Sequence, residues 1–126
     1  MAFESRADIG MDLELKRHEV DGVIVVTVRG AIDLTSGAAL ENVLRGALAA
    51  RAPVVVDVCG VEVIDSTGLR VLLDARSAQS RRSLEFALSC DPAGNVARML
   101  TVAGAGRFLR IYETTDDAVG ALRPTR

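Results

Sequence analysis

The sequence predicts an α/β fold in which a mixed β-sheet packs with about four helices. Runs of β-branched or alternating apolar residues, typical of strands, are interleaved with segments whose apolar residues recur at helical spacing. The resulting order is β-β-α-β-α-β-α-β-α, and such alternation is typical of parallel strands joined by right-handed crossovers. At 126 residues the chain fits a single domain that needs no metal or disulfide.

The composition of the chain excludes several classes of function. A hydrophobic fraction of 49% with 25% charged residues excludes disorder, and no apolar stretch is long enough to cross a bilayer. The net charge of −2 provides no basic field for nucleic acid. With 3% aromatic residues, the chain also lacks the flat side chains that stack on bases or sugars. The N-terminal segment has no secretory signal, so we expect a cytoplasmic protein.

The first two strands are predicted to form a hairpin. Apolar residues alternate loosely with charged ones in 13–20, and a β-branched run occupies 23–28. The Asp21-Gly22 step between them is a strong hairpin signal, because both residues tolerate the positive φ angles of a tight turn.

The middle of the chain predicts a helix, a buried strand and a second helix. Apolar residues recur at helical spacing over 35–50, and 54–58 is a nearly continuous apolar run that is expected to be buried on both faces. The second helix begins at Asp65-Ser66-Thr67-Gly68 and ends at the polar segment 79–82.

The last third of the chain predicts a strand, a helix, a short strand and a final helix. Gly104 and Gly106 are expected to end the third helix, since glycine is common just past a helix C-terminus. Asp116 and Asp117 complement the positive end of the fourth helix. The predicted ranges are 84–88, 92–102, 108–111 and 115–122.

Ser66 is the most informative candidate functional residue. Its hydroxyl is predicted to lie at a helix N-terminus, where unpaired N–H groups and the helix dipole favour a phosphate. The plainer alternative is that Asp65 or Ser66 simply caps the helix. Segment 30–33 also follows a strand, so both segments are expected at the carboxyl edge of the sheet, where ligand sites of α/β folds usually lie.

These two segments, Gly30-Ala31-Ile32-Asp33 and Val63-Ile64-Asp65-Ser66-Thr67-Gly68-Leu69, resemble the STAS-domain anti-sigma factor antagonists. The resemblance covers roughly residues 12–122 and follows the order of every element. It implies that Ser66 is the phosphorylation site and that Asp33 helps to form the surrounding surface. The residues that it places in the partner-binding surface are Asp33, Asp65, Ser66, Thr67 and Gly68.

The resemblance also implies a function by partner switching. The unphosphorylated chain would bind an anti-sigma factor with serine kinase activity and free a sigma factor, whereas phosphorylation of Ser66 would block binding and a PP2C-type phosphatase would reset the serine. The chain would thus regulate transcription indirectly and catalyse nothing itself. It has no GxxxxGK[ST] loop, so ATP and Mg²⁺ are assigned to the kinase. We expect no metal site, cofactor, nucleic acid or membrane partner.

The predicted domain organisation is a flexible leader over 1–11, a STAS domain over 12–122 and a tail over 123–126. Translation starts at Met1 and at Met11 are both compatible with this division. One departure from many relatives is Arg-Arg-Ser at 81–83, in a turn where those relatives carry glycines.

Two alternatives stay open at this point. STAS domains also serve as interaction or scaffold modules, which would make binding independent of phosphorylation and open to redox control. Cys59 and Cys90 each follow a strand and would be close enough to pair if those strands are neighbours, although two small buried thiols are the preferred interpretation. An esterase is disfavoured because His18 is the chain's one histidine and no GxSxG motif surrounds Ser66.

Overall fold

The structure is a computed structural model that describes residues 13–124. Its five strands form one sheet whose spatial order follows the chain. The first pair is antiparallel and the other pairs are parallel, so the predicted mixed sheet is confirmed. The predicted leader, 1–11, lies outside the described residues. The strands are β1 (Glu14–Val20), β2 (Val23–Ile32), β3 (Val54–Ile64), β4 (Phe86–Ser89) and β5 (Arg110–Tyr112).

Four α-helices connect and follow these strands in the predicted order. The last of them has the predicted bounds, because Thr114 accepts a hydrogen bond from the Asp117 N–H at 3.0 Å and starts the helix. A short 3₁₀ turn, which was not predicted, precedes β5. The helices are α1 (Gly37–Ala49), α2 (Ser66–Arg81), α3 (Asn95–Val102) and α4 (Thr115–Leu122), and the 3₁₀ turn is Ala105–Arg107.

The two faces of the sheet are covered unequally. Along β3, Val54, Val56 and Val58 share a core with α1, α2 and α3. Val55 belongs to a second, smaller core that packs against α4. The predicted burial of this strand on both faces is therefore confirmed, with half-buried Asp57 as the exception.

The part of the second face that α4 does not cover is polar. Thr27 and Arg29 of β2, with Asp57 and Cys59 of β3, line a groove of about 300 Å³. The Arg29 side chain lies against Gly60, where a Cβ atom would come within 3.1 Å of the Arg29 Cγ. This region offers charged and hydroxyl groups and no apolar pocket.

Strand β3 is six residues longer than the predicted range 54–58. Its pairing with β4 ends where Asp57 lies opposite Ser89, but its pairing with β2 continues to Ile64, opposite Ile32. Two register shifts in the β2–β3 pair break the alternation of inward and outward side chains. Because the shifts interrupt the alternation, the sequence pattern does not predict the second half of the strand.

Helix α3 begins three residues later than predicted. The Asp91 carboxylate accepts a hydrogen bond from the Ala93 N–H at 2.9 Å, which holds the chain in a turn before the helix. Gly104 ends the helix as predicted and has a positive φ of 72°. Gly106 instead lies in the 3₁₀ turn, so that part of the prediction was wrong.

Both cysteines are free, and the preferred interpretation of two buried thiols was wrong for Cys59, which is exposed. Cys90 belongs to the larger core together with Val58, the neighbour of Cys59 in β3. Cys59 instead lines the polar groove of the other face together with Asp57. Desolvation, followed by the hydrogen bond to Asp57, raises the pKa of Cys59 to about 11, which keeps its thiol protonated at neutral pH.

The turns at the amino ends of β3 and β4 each contain a residue with a positive φ angle, and a buried amide side chain bonds to both turns. Arg51 and Ser83 have positive φ angles of 56° and 58°, a conformation that favours glycine. The buried Gln79 donates hydrogen bonds to the carbonyls of Ala52 at 2.8 Å and Glu85 at 3.0 Å. Ser83 thus adopts a glycine-like backbone in the turn where the sequence has no glycine.

Candidate functional site

The segments predicted to form the site meet at the carboxyl ends of β2 and β3. Ile32 and Ile64 pair as the last residues of the two strands, and the Asp65 N–H donates to the Ile32 carbonyl at 3.1 Å. The loop that begins at Asp33 and the turn that begins at Asp65 are therefore neighbours, as predicted from the topology.

Asp33 organises its own loop. Its Oδ1 atom accepts hydrogen bonds from the backbone N–H groups of Thr35 and Ser36, each at 3.0 Å, and lies 3.1 Å from the Ser36 hydroxyl. The backbone N–H of Ser36 makes the largest contribution to a lowered pKa of Asp33, and burial opposes it. The carboxylate is thus ionised at neutral pH and engaged within the loop.

Ser36 lies at the centre of this loop and is fully buried. Its Oγ atom lies 2.8 Å from the Ala31 carbonyl, to which it donates, and accepts from the Asp33 N–H at 2.9 Å. A buried hydroxyl with these bonds is a structural group, because removing it would leave buried backbone groups unpaired.

Asp65 caps helix α2. Its Oδ1 atom accepts a hydrogen bond from the Gly68 N–H at 3.0 Å, and its extended backbone is typical of an N-cap residue. The plainer interpretation is therefore correct for Asp65. It does not extend to Ser66, which is the first residue of α2 and is exposed.

The next two residues hold α2 against its neighbours. Thr67 is half-buried, and a Cβ atom built on Gly37 of α1 would come within 3.2 Å of its Cγ2 methyl. A Cβ atom on Gly68 would approach Ile32 Cγ2 to 2.5 Å and Ile64 Cγ1 to 2.8 Å. A larger side chain at position 68 would collide with both isoleucines, so only glycine fits there. Gly68 is buried against the ends of β2 and β3, whereas Ser66 is exposed at the surface.

Two exposed apolar side chains lie in the same segments. Leu34 follows Asp33 and is 77% exposed, and Val63 lies two residues before Asp65 and is 46% exposed. Single exposed apolar residues are normal on protein surfaces, and Val102 and Phe108 are exposed elsewhere in the domain, so these two side chains alone do not mark a binding site.

A family model, the STAS domain, matches residues 14–118. The chain belongs to the STAS domain family. The anti-sigma-F factor antagonist RsfB of Mycobacterium tuberculosis is 33% identical over 109 residues, which cover 84% of this chain and 86% of RsfB. The resemblance predicted from the sequence is thus confirmed.

Solved structures of similar proteins share the fold of this STAS domain. An anti-sigma factor antagonist from Mycobacterium paratuberculosis is 28% identical, has a TM-score of 0.78, and matches 95% of this chain and 100% of its own. The phosphorylated form of SpoIIAA from Bacillus is 15% identical, has a TM-score of 0.65, and matches 88% of this chain and 99% of its own. The second likeness is one of fold.

The STAS domain offers Ser66 no nearby histidine. His18 pairs with Val25 near the start of β2, whereas Ser66 follows the far end of β3. A nucleophilic serine needs an adjacent base, so the esterase alternative has no support in the geometry. Within residues 13–124 there is no group of three side chains that could hold a metal ion. None of the helices in that range could span a bilayer.

The sequence prediction did not identify Ser36 as part of the site. A signal for it is present, since Asp33 and Ser36 have the spacing at which a carboxylate reaches the backbone N–H two and three residues ahead. That pattern predicts a folded loop but does not show that the serine is buried, because burial depends on α1 packing above it.

Proposed function

We propose that this STAS domain is an anti-sigma factor antagonist that is switched at Ser66. The unphosphorylated chain binds an anti-sigma factor with serine kinase activity and releases a sigma factor. Phosphorylation of Ser66 prevents this binding. The name of the relative RsfB, an anti-sigma-F factor antagonist, supports the first part of the proposal.

The exposed hydroxyl of Ser66 is the observation that supports the switch. Among the described residues its Oγ atom has no hydrogen-bond partner, whereas the Ser36 hydroxyl is buried and bonded and the Thr67 methyl packs against Gly37. Of the four hydroxyls near the two aspartates, those of Thr35 and Ser66 are exposed, and that of Ser66 is the exposed one in the first turn of a helix.

A phosphate on Ser66 would disturb the partner more than this domain. It would add about −1.5 to −2 charges at neutral pH at the N-terminus of α2, where the helix dipole favours an anion. The same charge would lie beside Asp33 and Asp65 and would have to be desolvated in the complex. A penalty of about 3 kcal/mol would weaken binding more than a hundredfold.

The partner proteins catalyse the addition and the removal of the phosphate. The kinase binds ATP and Mg²⁺ and transfers the γ-phosphoryl group to the Ser66 hydroxyl, and a PP2C-type phosphatase removes it. The STAS domain is the substrate, and its effect on transcription is indirect through the released sigma factor.

Phosphorylation is tested by peptide mass spectrometry after incubation with the anti-sigma factors of the native host and MgATP. Trypsin should release 52–70, in which Ser66 and Thr67 are the hydroxyl residues. We expect a phosphate on Ser66, none in Ser66→Ala, and an unchanged yield in Thr67→Val. Absence of phosphate with every kinase would remove the switch from the proposal.

Binding is tested with the same anti-sigma factors by calorimetry. We expect the unphosphorylated chain to bind and the Ser66 phosphoform to bind at least about a hundredfold more weakly. Equal binding of the two forms would favour an interaction module that phosphorylation does not control. Binding to no anti-sigma factor would reject the antagonist function itself.

A further inference from the structure

Helices α1 and α2 leave an apolar groove between them on the outside of the domain. The groove has a volume of about 340 Å³. Leu44 and Ala75 are buried at its floor, and Leu48, Val71 and Ala78 are half-buried in its walls. Charged side chains, among them Glu41, Arg45, Asp74 and Arg82, form its rim. We name this feature the α1–α2 groove.

The α1–α2 groove starts beside the Ser66 surface. The first turns of the two helices lie close together, since a Cβ atom built on Gly37 would come within 3.2 Å of the Thr67 methyl. Glu41 lies about one turn beyond Gly37, and Val71 lies just over one turn beyond Ser66. The groove is therefore continuous with the surface that the proposed function assigns to the anti-sigma factor.

A kinase that acts on a folded domain needs contacts beyond the reacting hydroxyl. Specific interfaces bury about 800 Å² on each partner, and binding energy away from the reacting atom positions the substrate. Leu34 and Val63 add some apolar surface near Ser66. The opposite face of the sheet offers the polar groove of Thr27, Arg29 and Asp57. Further apolar contact is available in the α1–α2 groove.

The charges on the rim indicate what kind of segment fits. Asp74 is exposed and forms no ion pair within residues 13–124. Arg82 is already engaged, since its Nη1 atom donates to the Leu48 carbonyl at 3.0 Å. Glu41 lies 3.8 Å from Arg45 in an exposed pair, which is worth little. Asp74 is thus the acidic group on the rim that has no ion-pair or hydrogen-bond partner within residues 13–124.

We propose that a helix of the anti-sigma factor docks in the α1–α2 groove, with apolar side chains in the groove and a basic side chain opposite Asp74. This inference rests on the proposed function and adds the place where the partner is anchored. Helix-in-groove docking through residues at i, i+3 or i+4, and i+7 is a common mode of recognition. Asp74 lies eight residues beyond Ser66, or about 12 Å along α2, so its ion pair is largely screened from a phosphate on Ser66.

The test compares variants of the α1–α2 groove in calorimetry and in steady-state phosphorylation with the host anti-sigma factor. Asp74→Arg reverses an exposed charge and should leave the fold intact, whereas Val71→Asp places a charge in the wall of the groove. Arg76→Asp is the matched control, because it reverses an exposed charge on α2 outside the groove lining. Each variant is first checked for native circular dichroism and thermal unfolding.

We expect Asp74→Arg to weaken binding at least about tenfold and to raise the KM for phosphorylation similarly, with kcat for Ser66 within about twofold. Val71→Asp should weaken binding further, and Arg76→Asp should bind like the wild type. If wild type binds and both groove variants bind equally well, the groove proposal is overturned while the antagonist function stands. If the groove variants change only the self-association of the chain, measured by light scattering, then the groove binds a second copy of the chain. That result would also overturn the groove proposal. If wild type binds no anti-sigma factor, both proposals fail.

Discussion

Asp33 and Asp65 occupy corresponding places in this STAS domain, each between a strand and a helix, yet their carboxylates make different contacts. One oxygen of Asp33 accepts two backbone hydrogen bonds and lies 3.1 Å from a buried hydroxyl, which folds the loop before α1. One oxygen of Asp65 accepts a single hydrogen bond from Gly68, which starts α2. The first aspartate builds a loop, and the second begins a helix.

This difference explains why the serine of one segment is buried and bonded, whereas the serine of the other is exposed. In the Asp33 loop, the buried Ser36 is used to hold the backbone. In the Asp65 turn, the carboxylate alone satisfies the cap, so the following Ser66 is left exposed in the first turn of the helix. Because the aspartate caps the helix, the serine hydroxyl is not needed for that role.

The largest expected effect on stability comes from the close packing of Gly68 beneath the Asp65 turn. Gly68→Ala should lower the free energy of unfolding by about 3 kcal/mol, because its methyl group would collide with Ile32 and Ile64. Gly120→Ala in α4 is the control, since open space surrounds it and the helix should gain about 0.5–1 kcal/mol. Urea unfolding measures both. Equal changes in the two variants would show that Gly68 is not tightly packed.

The Asp33 loop should depend on its buried hydroxyl. Ser36→Ala removes the partner of the Asp33 N–H and the Ala31 carbonyl, and we expect a loss of about 2 kcal/mol in unfolding free energy. Thr35→Ala, at an exposed neighbour, should change stability by less than about 0.5 kcal/mol. If the two substitutions cost the same, the Ser36 hydroxyl does not hold the loop.

The cap of α2 should contribute less than Ser36. Asp65→Ala is expected to cost about 1 kcal/mol, because the Gly68 N–H loses its acceptor, and Asp65→Asn should recover most of the loss. Thermal unfolding followed by circular dichroism measures both variants. A similar loss in Asp65→Asn would indicate that the charge, rather than the hydrogen bond, stabilises the helix.

The smallest expected effect is a pH dependence from Asp33. Hydrogen bonds lower the folded-state pKa of Asp33 below the ordinary value of 3.8, and the bond from the Ser36 N–H contributes most. Ionised Asp33 therefore stabilises the fold above that ordinary value, and the contribution disappears as the pH falls through the folded-state pKa. The stability difference between wild type and Asp33→Asn should be constant near neutral pH and should shrink in acid. Asp74→Asn serves as control, and a difference that grows in acid would contradict the assignment.

Local rules were enough to predict most of the fold. The Asp21-Gly22 turn has two positive φ angles, of 52° and 81°, as a tight hairpin requires. The bounds of α4 follow from its capping threonine and first-turn acids. The second half of β3 was missed because it depends on irregular pairing with β2, which no local pattern in 59–64 encodes.

The site was predictable to a similar extent. The adjacency of Asp33 and Asp65 follows from strand order, and the exposure of Ser66 follows from its place in the first turn of a helix. The burial of Ser36 and the 2.5 Å clearance at Gly68 were not predictable, because they depend on how closely the helices pack on the sheet. The spacing of residue types along the sequence does not determine such distances.

The left-handed backbone at Arg51 and Ser83 bears on how this domain can evolve. Both turns lie at the amino ends of strands, at the opposite end of the sheet from Ser66. An ordinary residue in that conformation costs about 1–2 kcal/mol, and glycine would recover part of it. Substitutions that adapt the Ser66 end to a new partner can thus be offset by a glycine at a distant turn. The domain thus has room for stabilising substitutions at turns that are distant from the Ser66 surface.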